Sequence, residues 1–413
     1  MITVSNSKGV SWAYVICVCV MIVFALIPFL SRNGSLALQF VSMVLAPLLV
    51  AKSYLSINNS ERSTLILLAL YISIETLYKL IGISTATVDY YFTTVKFFWF
   101  YVIFFHLKEM LTFRQRLVII IVSLMCFIYT TITNDVYAKT YDHYISMYQR
   151  VSDSNAANTS YSSMTMLLAG CFYAKLFDQS NKLLKILYLA GIILCGYYMI
   201  FIAERGAAFF LSLTLLFLIT INVKELRVSR IVSISTLLIL LFLFIEIGGI
   251  NVIVVNLSQV LPDRLVERLL WADNVINTGQ VISESGTLSS RFNLTLVSLK
   301  TFFSSVDNFV LGVGDHRDSL EVIGNHNQWI DAFARYGIFG GILLSLVIYK
   351  IFDNEKKYYL DSNYHKRIFS CIFFIFYIRG FLGNVIHPSI GVVLFIIMPI
   401  LFSTDKLCST DKE

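Results

Sequence analysis

Apolar residues run through this chain in long blocks, without the alternation that marks half-buried strands. About twelve blocks reach or approach the length needed to cross a bilayer as helices, at roughly 11–31, 35–51, 63–81, 91–107, 116–133, 160–177, 183–203, 206–222, 230–249, 337–352, 367–383 and 387–403. Such blocks predict an all-α polytopic membrane protein with about 12 transmembrane helices, because a helix satisfies its own backbone in lipid. Pro28, Pro47 and Pro399 fall inside blocks or at their ends, where a buried helix kinks rather than stops. The first block exceeds a signal-peptide core and lacks a small-residue cleavage pattern, so it is expected to remain as an anchor. The polar gaps at about 134–159 and 250–336 are much longer than the others. Three regions follow: a bundle of about nine helices over 1–249, a large loop over 250–336, and three helices with a tail over 337–413.

The short gaps set the orientation. One alternate set holds Lys52 and Arg62; Lys108, Arg114 and Arg116; Lys175, Lys182 and Lys185; Lys224, Arg227 and Arg230; and Lys350, Lys356, Lys357, Lys366 and Arg367. The other short gaps hold only Arg32 and Arg205. Lysine and arginine favour the cytoplasmic side, so both termini are expected inside and the two long loops outside. Lysine dominates the inner gaps, whereas the outer segments use Arg150, Arg205, Arg264, Arg268, Arg291, Arg317 and Arg335 with only Lys139 and Lys300. Either residue orients a helix, but arginine is preferred where a planar fork must hold phosphate. Salt bridges to Asp315, Asp331 and other outer carboxylates are the structural alternative for any single arginine. As a set, the arginines point to an anionic ligand.

Composition agrees with the blocks: 57% of residues are hydrophobic and 14% charged, against about 25% charged in soluble domains. The net charge of +6 resides in short loops and is an orientation signal, not a nucleic-acid one. Six of the seven cysteines lie in apolar blocks and Cys408 in the tail, which excludes a disulfide framework or zinc spacing in the long loops. No internal repeat divides the chain into halves, as many transporters require.

Chemistry concentrates in 289–341, a polar stretch beside the tenth block, with one outlier. The outlier is Glu204-Arg205-Gly206-Ala207, where two blocks meet at the outer face; a charge pair there either snorkels or functions. Within the stretch, Gly312 and Gly314 lack the strand, helix and third glycine of a dinucleotide site and read as a turn. His326 and Asn327 precede the tenth block. At helical spacing His326, Ile330 and Phe333 would share a face, with Asp331 on a neighbouring one. Histidine suits a general base near neutral pH, and no second ligand stands at metal spacing. Glu75 and Lys79, four residues apart within a block, read as a local ion pair. His387 and Arg379 lie near the same face.

These features together resemble the bacterial O-antigen polymerases and the related O-antigen ligases. The resemblance rests on Glu204-Arg205-Gly206-Ala207 between two spans, Ser290-Arg291 in the long outer loop, and then Gly312, Gly314, His326, Asn327 and 337–340 in that order. Glu204 stands where the family usually has serine. Arg335 stands where ligases often carry an acid, which favours the polymerase. The resemblance implies a GT-C-like glycosyltransferase of the inner membrane that uses undecaprenyl-pyrophosphate-linked oligosaccharide at the periplasmic face. It implies His326, Arg291 and Arg205 as catalytic residues, and Arg317, Asn327, Glu204, Arg335, Gly312 and Gly314 as substrate-binding residues. No metal or other cofactor is implied. Expected partners are the lipid-linked glycan, the bilayer and a chain-length regulator protein, and no nucleic acid. The competing functions are ligation of the glycan to lipid A core and, from another class, flipping of the lipid-linked oligosaccharide.

Overall fold

The computed structural model of the chain describes residues 12–27, 58–84, 88–107, 111–140, 159–178, 182–203, 206–220, 287–315, 322–358 and 363–403. All regular structure among these residues is helical. The helices are α1 (Trp12–Leu26), α2 (Asn59–Leu80), α3 (Val88–Leu107), α4 (Phe113–Thr140), α5 (Thr159–Asp178), α6 (Lys182–Tyr197) and α7 (Gly206–Thr220). They continue as α8 (Thr287–Phe303), α9 (Val306–Val310), α10 (Gln328–Tyr358), α11 (Asn363–Leu382), α12 (Pro388–Val392) and α13 (Met398–Ser403). π-Helical turns extend α6 over Tyr198–Ile202 and join α12 to α13 over Val393–Ile397. The predicted blocks at 35–51 and 230–249 lie outside the described residues. Every other block falls on a helix.

Four segments are long and apolar enough to cross a bilayer: Asn59–Leu80, Arg114–Thr133, Lys182–Ile202 and Gln328–Lys357. Shorter apolar helices include Val15–Leu26, Thr94–Ile103, Ala208–Phe217 and Pro388–Phe402. The protein is therefore a membrane protein that is all-helical among the described residues, with several helices able to span. Its exposed surface fits: Ile66, Leu70, Leu77 and Ile81 are exposed on α2 and just beyond it, and Phe339, Ile342, Leu346 and Tyr349 on α10. Large apolar side chains at helical spacing on an outer face suit lipid rather than water.

The core is built around α5 and the α12–α13 segment. From Tyr161 to Phe172 every α5 residue is buried, as is every residue from Pro388 to Phe402. Helices α1, α3 and α5 pack against α12, and Gly391 lets it approach α3: a Cβ there would stand 3.0 Å from the Phe97 carbonyl. Phe97, Tyr101 and Phe395 pack edge to face across this contact, 5.3–5.4 Å between centroids. Helix α2 pairs with α10, and α4 with α1.

Polar contacts fix which helix ends share a face. Asn354 of α10 accepts from Ser60 Oγ at 2.7 Å and donates to Thr64 Oγ1 and Tyr101 at 2.8 and 3.2 Å. At the other end of the same pair, Tyr336 of α10 donates to Glu75 of α2 at 3.2 Å. Helices α2 and α10 are thus antiparallel. Helices α5 and α11 are antiparallel too: Tyr364 donates to the Ala174 carbonyl at 3.2 Å, and Arg379 Nε to Ser163 Oγ at 3.2 Å. The Trp329 indole donates to the Tyr377 carbonyl at 2.8 Å, which brings the start of α10 to the end of α11. One end of the bundle therefore collects the end of α2, the start of α5, the start of α10 and the end of α11. The opposite end collects Arg62, Lys175, Lys356, Lys357, Lys366 and Arg367.

Candidate functional site at the lysine-poor end of the bundle

Asp331 is the hub of this end. It is wholly buried on the first turn of α10. Its Oδ1 accepts from Ser298 Oγ of α8 at 2.6 Å, and its Oδ2 from the Asn327 backbone amide at 3.0 Å. Asn327 Oδ1 in turn accepts from the Ile330 amide at 3.1 Å, so Asn327 caps α10. Ser298 completes the knot by accepting from the Gly324 amide at 2.9 Å. Gly324 lies so close to α8 that a Cβ would fall 2.0 Å from the Leu294 carbonyl oxygen. A short chain of hydrogen bonds thereby ties the 322–327 bend to one face of α8.

His326 sits in that bend, half-buried, two residues before the helix begins. The helical spacing expected for His326, Ile330 and Phe333 is therefore corrected: α10 starts at Gln328, and Asn327 caps it. Asn325, next to His326, has φ 58, the one positive φ at a non-glycine among the described residues. Asparagine tolerates this region better than most residues, and here Arg335 Nη2 holds its side-chain oxygen. Such a conformation persists where neighbours over-determine it, often at functional sites.

Arg335 is 3% exposed and meets Asp315 Oδ1 at 3.3 Å through Nε, with Asp331 Oδ2 at 4.0 Å from Nη2. Its charge is met by carboxylates of the chain itself, which is the structural alternative set out above for an outer arginine. Arg291 lies on α8, where the structure describes its backbone alone. It precedes Ser298 by seven residues, two helical turns and about 10 Å along the same side of α8. Contacts between α8 and the bend run in opposite directions: Thr301 donates to the Val322 carbonyl at 2.6 Å, and Ser298 and Leu294 meet Gly324. Glu204, Arg205 and Arg317 lie outside the described residues. The π-turn at Tyr198–Ile202 is closed by the Ala203 amide on the Tyr198 carbonyl at 2.8 Å, and Glu204 and Arg205 follow it in sequence. π-Turns inside helices are frequent at functional sites.

Gly312 and Gly314 form a turn with φ 77 and 79. Its amides do not point at an open cradle. Val313 and Gly314 donate to the Ala334 and Arg335 carbonyls at 3.0 and 2.8 Å. In an unbroken helix those carbonyls would accept from residues 338 and 339, but Gly337 breaks α10 with φ 65 and ψ −169. The glycine turn thus supplies donors where the kink removes them.

Below the kink Glu75 faces inward, 7% exposed, among Tyr71, Tyr78 and Tyr336. Tyr336 packs edge to face with Tyr71 and Tyr78 at 6.0 and 5.7 Å. Among the described residues Glu75 is not ion-paired with Lys79, correcting the local pair read from their spacing; Tyr336, 261 residues away, takes that place. His387 caps α12, accepting from the Ser389 amide at 3.4 Å. Among the described residues no group of three or more His, Cys, Asp or Glu side chains could hold a metal ion. The chain matches no protein-family model and no curated protein.

Proposed function

We propose that the protein is a glycosyltransferase of the bacterial inner membrane, with about twelve spans, that polymerises undecaprenyl-pyrophosphate-linked repeat units at the periplasmic face. The reading rests on the resemblance of its Glu204-Arg205, Ser290-Arg291, Gly312/Gly314 and His326-Asn327 motifs to O-antigen polymerases. The observation that carries it in the structure is the Ser298–Asp331–Asn327 knot. It fixes the His326 bend against the helix that bears Arg291, at the end of the bundle opposite Lys175, Lys356, Lys357 and Lys366.

In the proposed reaction, a hydroxyl of an incoming lipid-linked unit attacks the anomeric carbon of the growing glycan. Its proton passes to His326, a glycosidic bond forms, and the bond from sugar to pyrophosphate breaks. The lipid pyrophosphate leaves with the electron pair. Arg291 and Arg205 stabilise the charge developing on it, a role suited to fixed guanidinium forks. Glu204 and Arg317 are proposed to line the substrate path. Asn327, Arg335, Gly312 and Gly314 act through position: they cap, brace and hold the kink that presents His326. A chain-length regulator is the proposed protein partner.

Deletion of the gene, followed by a gel of surface lipopolysaccharide, separates this reading from its rivals. Loss of a polymerase leaves lipid A core bearing one repeat unit. Core with no repeat, while repeats still reach the periplasm, identifies a ligase instead. Repeats retained on the cytoplasmic side identify a flippase.

A further inference from the structure

We infer that the α8–α9 hairpin is a membrane-seated surface, with Phe303, Val306, Phe309 and Leu311 resting in the acyl-chain boundary of the leaflet at the lysine-poor end. This goes beyond the proposed reaction and does not depend on it.

The hairpin is too short and too polar to span, yet it exposes large apolar groups. Phe303 is 67% exposed, Val306 78% and Leu311 57%. Phe302, Phe303 and Phe309 form a ring cluster with centroids 4.7, 5.0 and 6.2 Å apart, and only Phe302 of the three is buried. The intervening Ser304, Ser305 and Asp307 are polar and exposed. Apolar and polar positions thus segregate around a sharp bend, as in elements that lie in an interface.

Tertiary contacts fix the depth of the hairpin. The Tyr78 hydroxyl donates to the Leu311 carbonyl, so the end of α9 is level with the last turn of α2. A Cβ on Gly337 would stand 2.1 Å from the Val310 carbonyl oxygen, so the same point abuts the kink of α10. A Cβ on Gly314 would stand 2.8 Å from Ile83. Helices α2 and α10 are both long and apolar enough to span. Leu77 and Leu80 of α2, Ile81 just after it, and Phe339 and Ile342 of α10 are exposed apolar residues within five positions of these contacts. The end of α9 thus meets both spans beside their exposed apolar residues, and a bilayer reaching those residues reaches Val306 and Leu311 as well. Phenylalanine and leucine are side chains found on the buried face of elements that lie at that depth.

The test places a single spin-labelled cysteine at position 306, or in a second variant at 303, in a cysteine-free protein reconstituted into liposomes. Val306 is 78% exposed and outside the ring cluster, so its label leaves packing in place; the label at 303 gives up that ring's contacts with Phe302 and Phe309. Collision rates with oxygen and with a water-soluble nickel chelate report depth. Labels at Leu70 and Asp307 serve as lipid and water references. The inference expects labels at 303 and 306 to collide several-fold more with oxygen than with nickel, as at 70, and the ratio to reverse at 307. Nickel access at 306 equal to that at 307 overturns it in favour of a water-facing hairpin. Shielding of 306 from both reagents overturns it in favour of a protein cover, such as a second copy of the chain.

Discussion

Arg335 and Asp331 show what single residues contribute at this end of the molecule. A guanidinium at 3% exposure is retained because Asp315 and Asp331 surround it and Asn325 accepts from it. Breaking a buried ion pair from one side costs about 3–5 kcal/mol, since the partner charges stay behind. Arg335→Leu is therefore expected to lower the unfolding midpoint of the detergent-solubilised protein sharply. Leucine there with unchanged stability but lost substrate binding would make Arg335 a ligand group instead. The sequence made the residue types legible: the His326-Asn327 pair, the outer arginines and the acids available to them. Their pairing was not legible, because the partners are distant in sequence. Ser298 reaches Asp331 across 33 positions, and Glu75 turns to Tyr336 across 261 instead of to Lys79 on its own helix.

Helix α10 is the element whose reading changed most. Its apolar block begins at 337, because Asp331 and Arg335 interrupt the hydrophobic run before it. The helix begins nine residues earlier, at Gln328, because those two charges are met inside the fold. Local hydropathy sees two polar residues, whereas the folded chain holds Arg335 between two carboxylates, one of them also hydrogen-bonded by Ser298 and the Asn327 amide. The remaining described blocks were legible as helices because lipid demands long apolar segments with internal hydrogen bonding. Gly337 is where the two parts of α10 meet at an angle, and its backbone lies in a region essentially restricted to glycine. Gly337→Ala adds strain of about 1–3 kcal/mol and drives a Cβ into the Val310 carbonyl. The expected outcome is a less stable protein in which α9 no longer docks. Faster proteolysis near 304–312 than in wild type would show this, and an unchanged cleavage pattern would mean that the kink is not what holds the hairpin.

For the whole molecule, the antiparallel pairings of α2 with α10 and of α5 with α11 set the lysine-rich helix ends opposite the Asp331 hub. Positive residues favour the cytoplasm, so cysteines at Ser289 and Ser319 should react with an impermeant maleimide in intact, outer-permeabilised cells, and one at Ser362 should not. The reverse pattern would put the hub in the cytoplasm and remove the proposed chemistry from its substrate. The most direct measurement of the central claim uses purified protein in liposomes with undecaprenyl-pyrophosphate-linked repeat units, following glycan length with time. Wild type is predicted to build chains with release of the lipid pyrophosphate. His326→Gln is predicted to fold and bind the donor but extend it about 10²–10⁴-fold more slowly, the usual contribution of a general base. No extension by wild type would contradict the polymerase reading. Extension by His326→Gln at the wild-type rate would leave the reaction standing and remove His326 as its base.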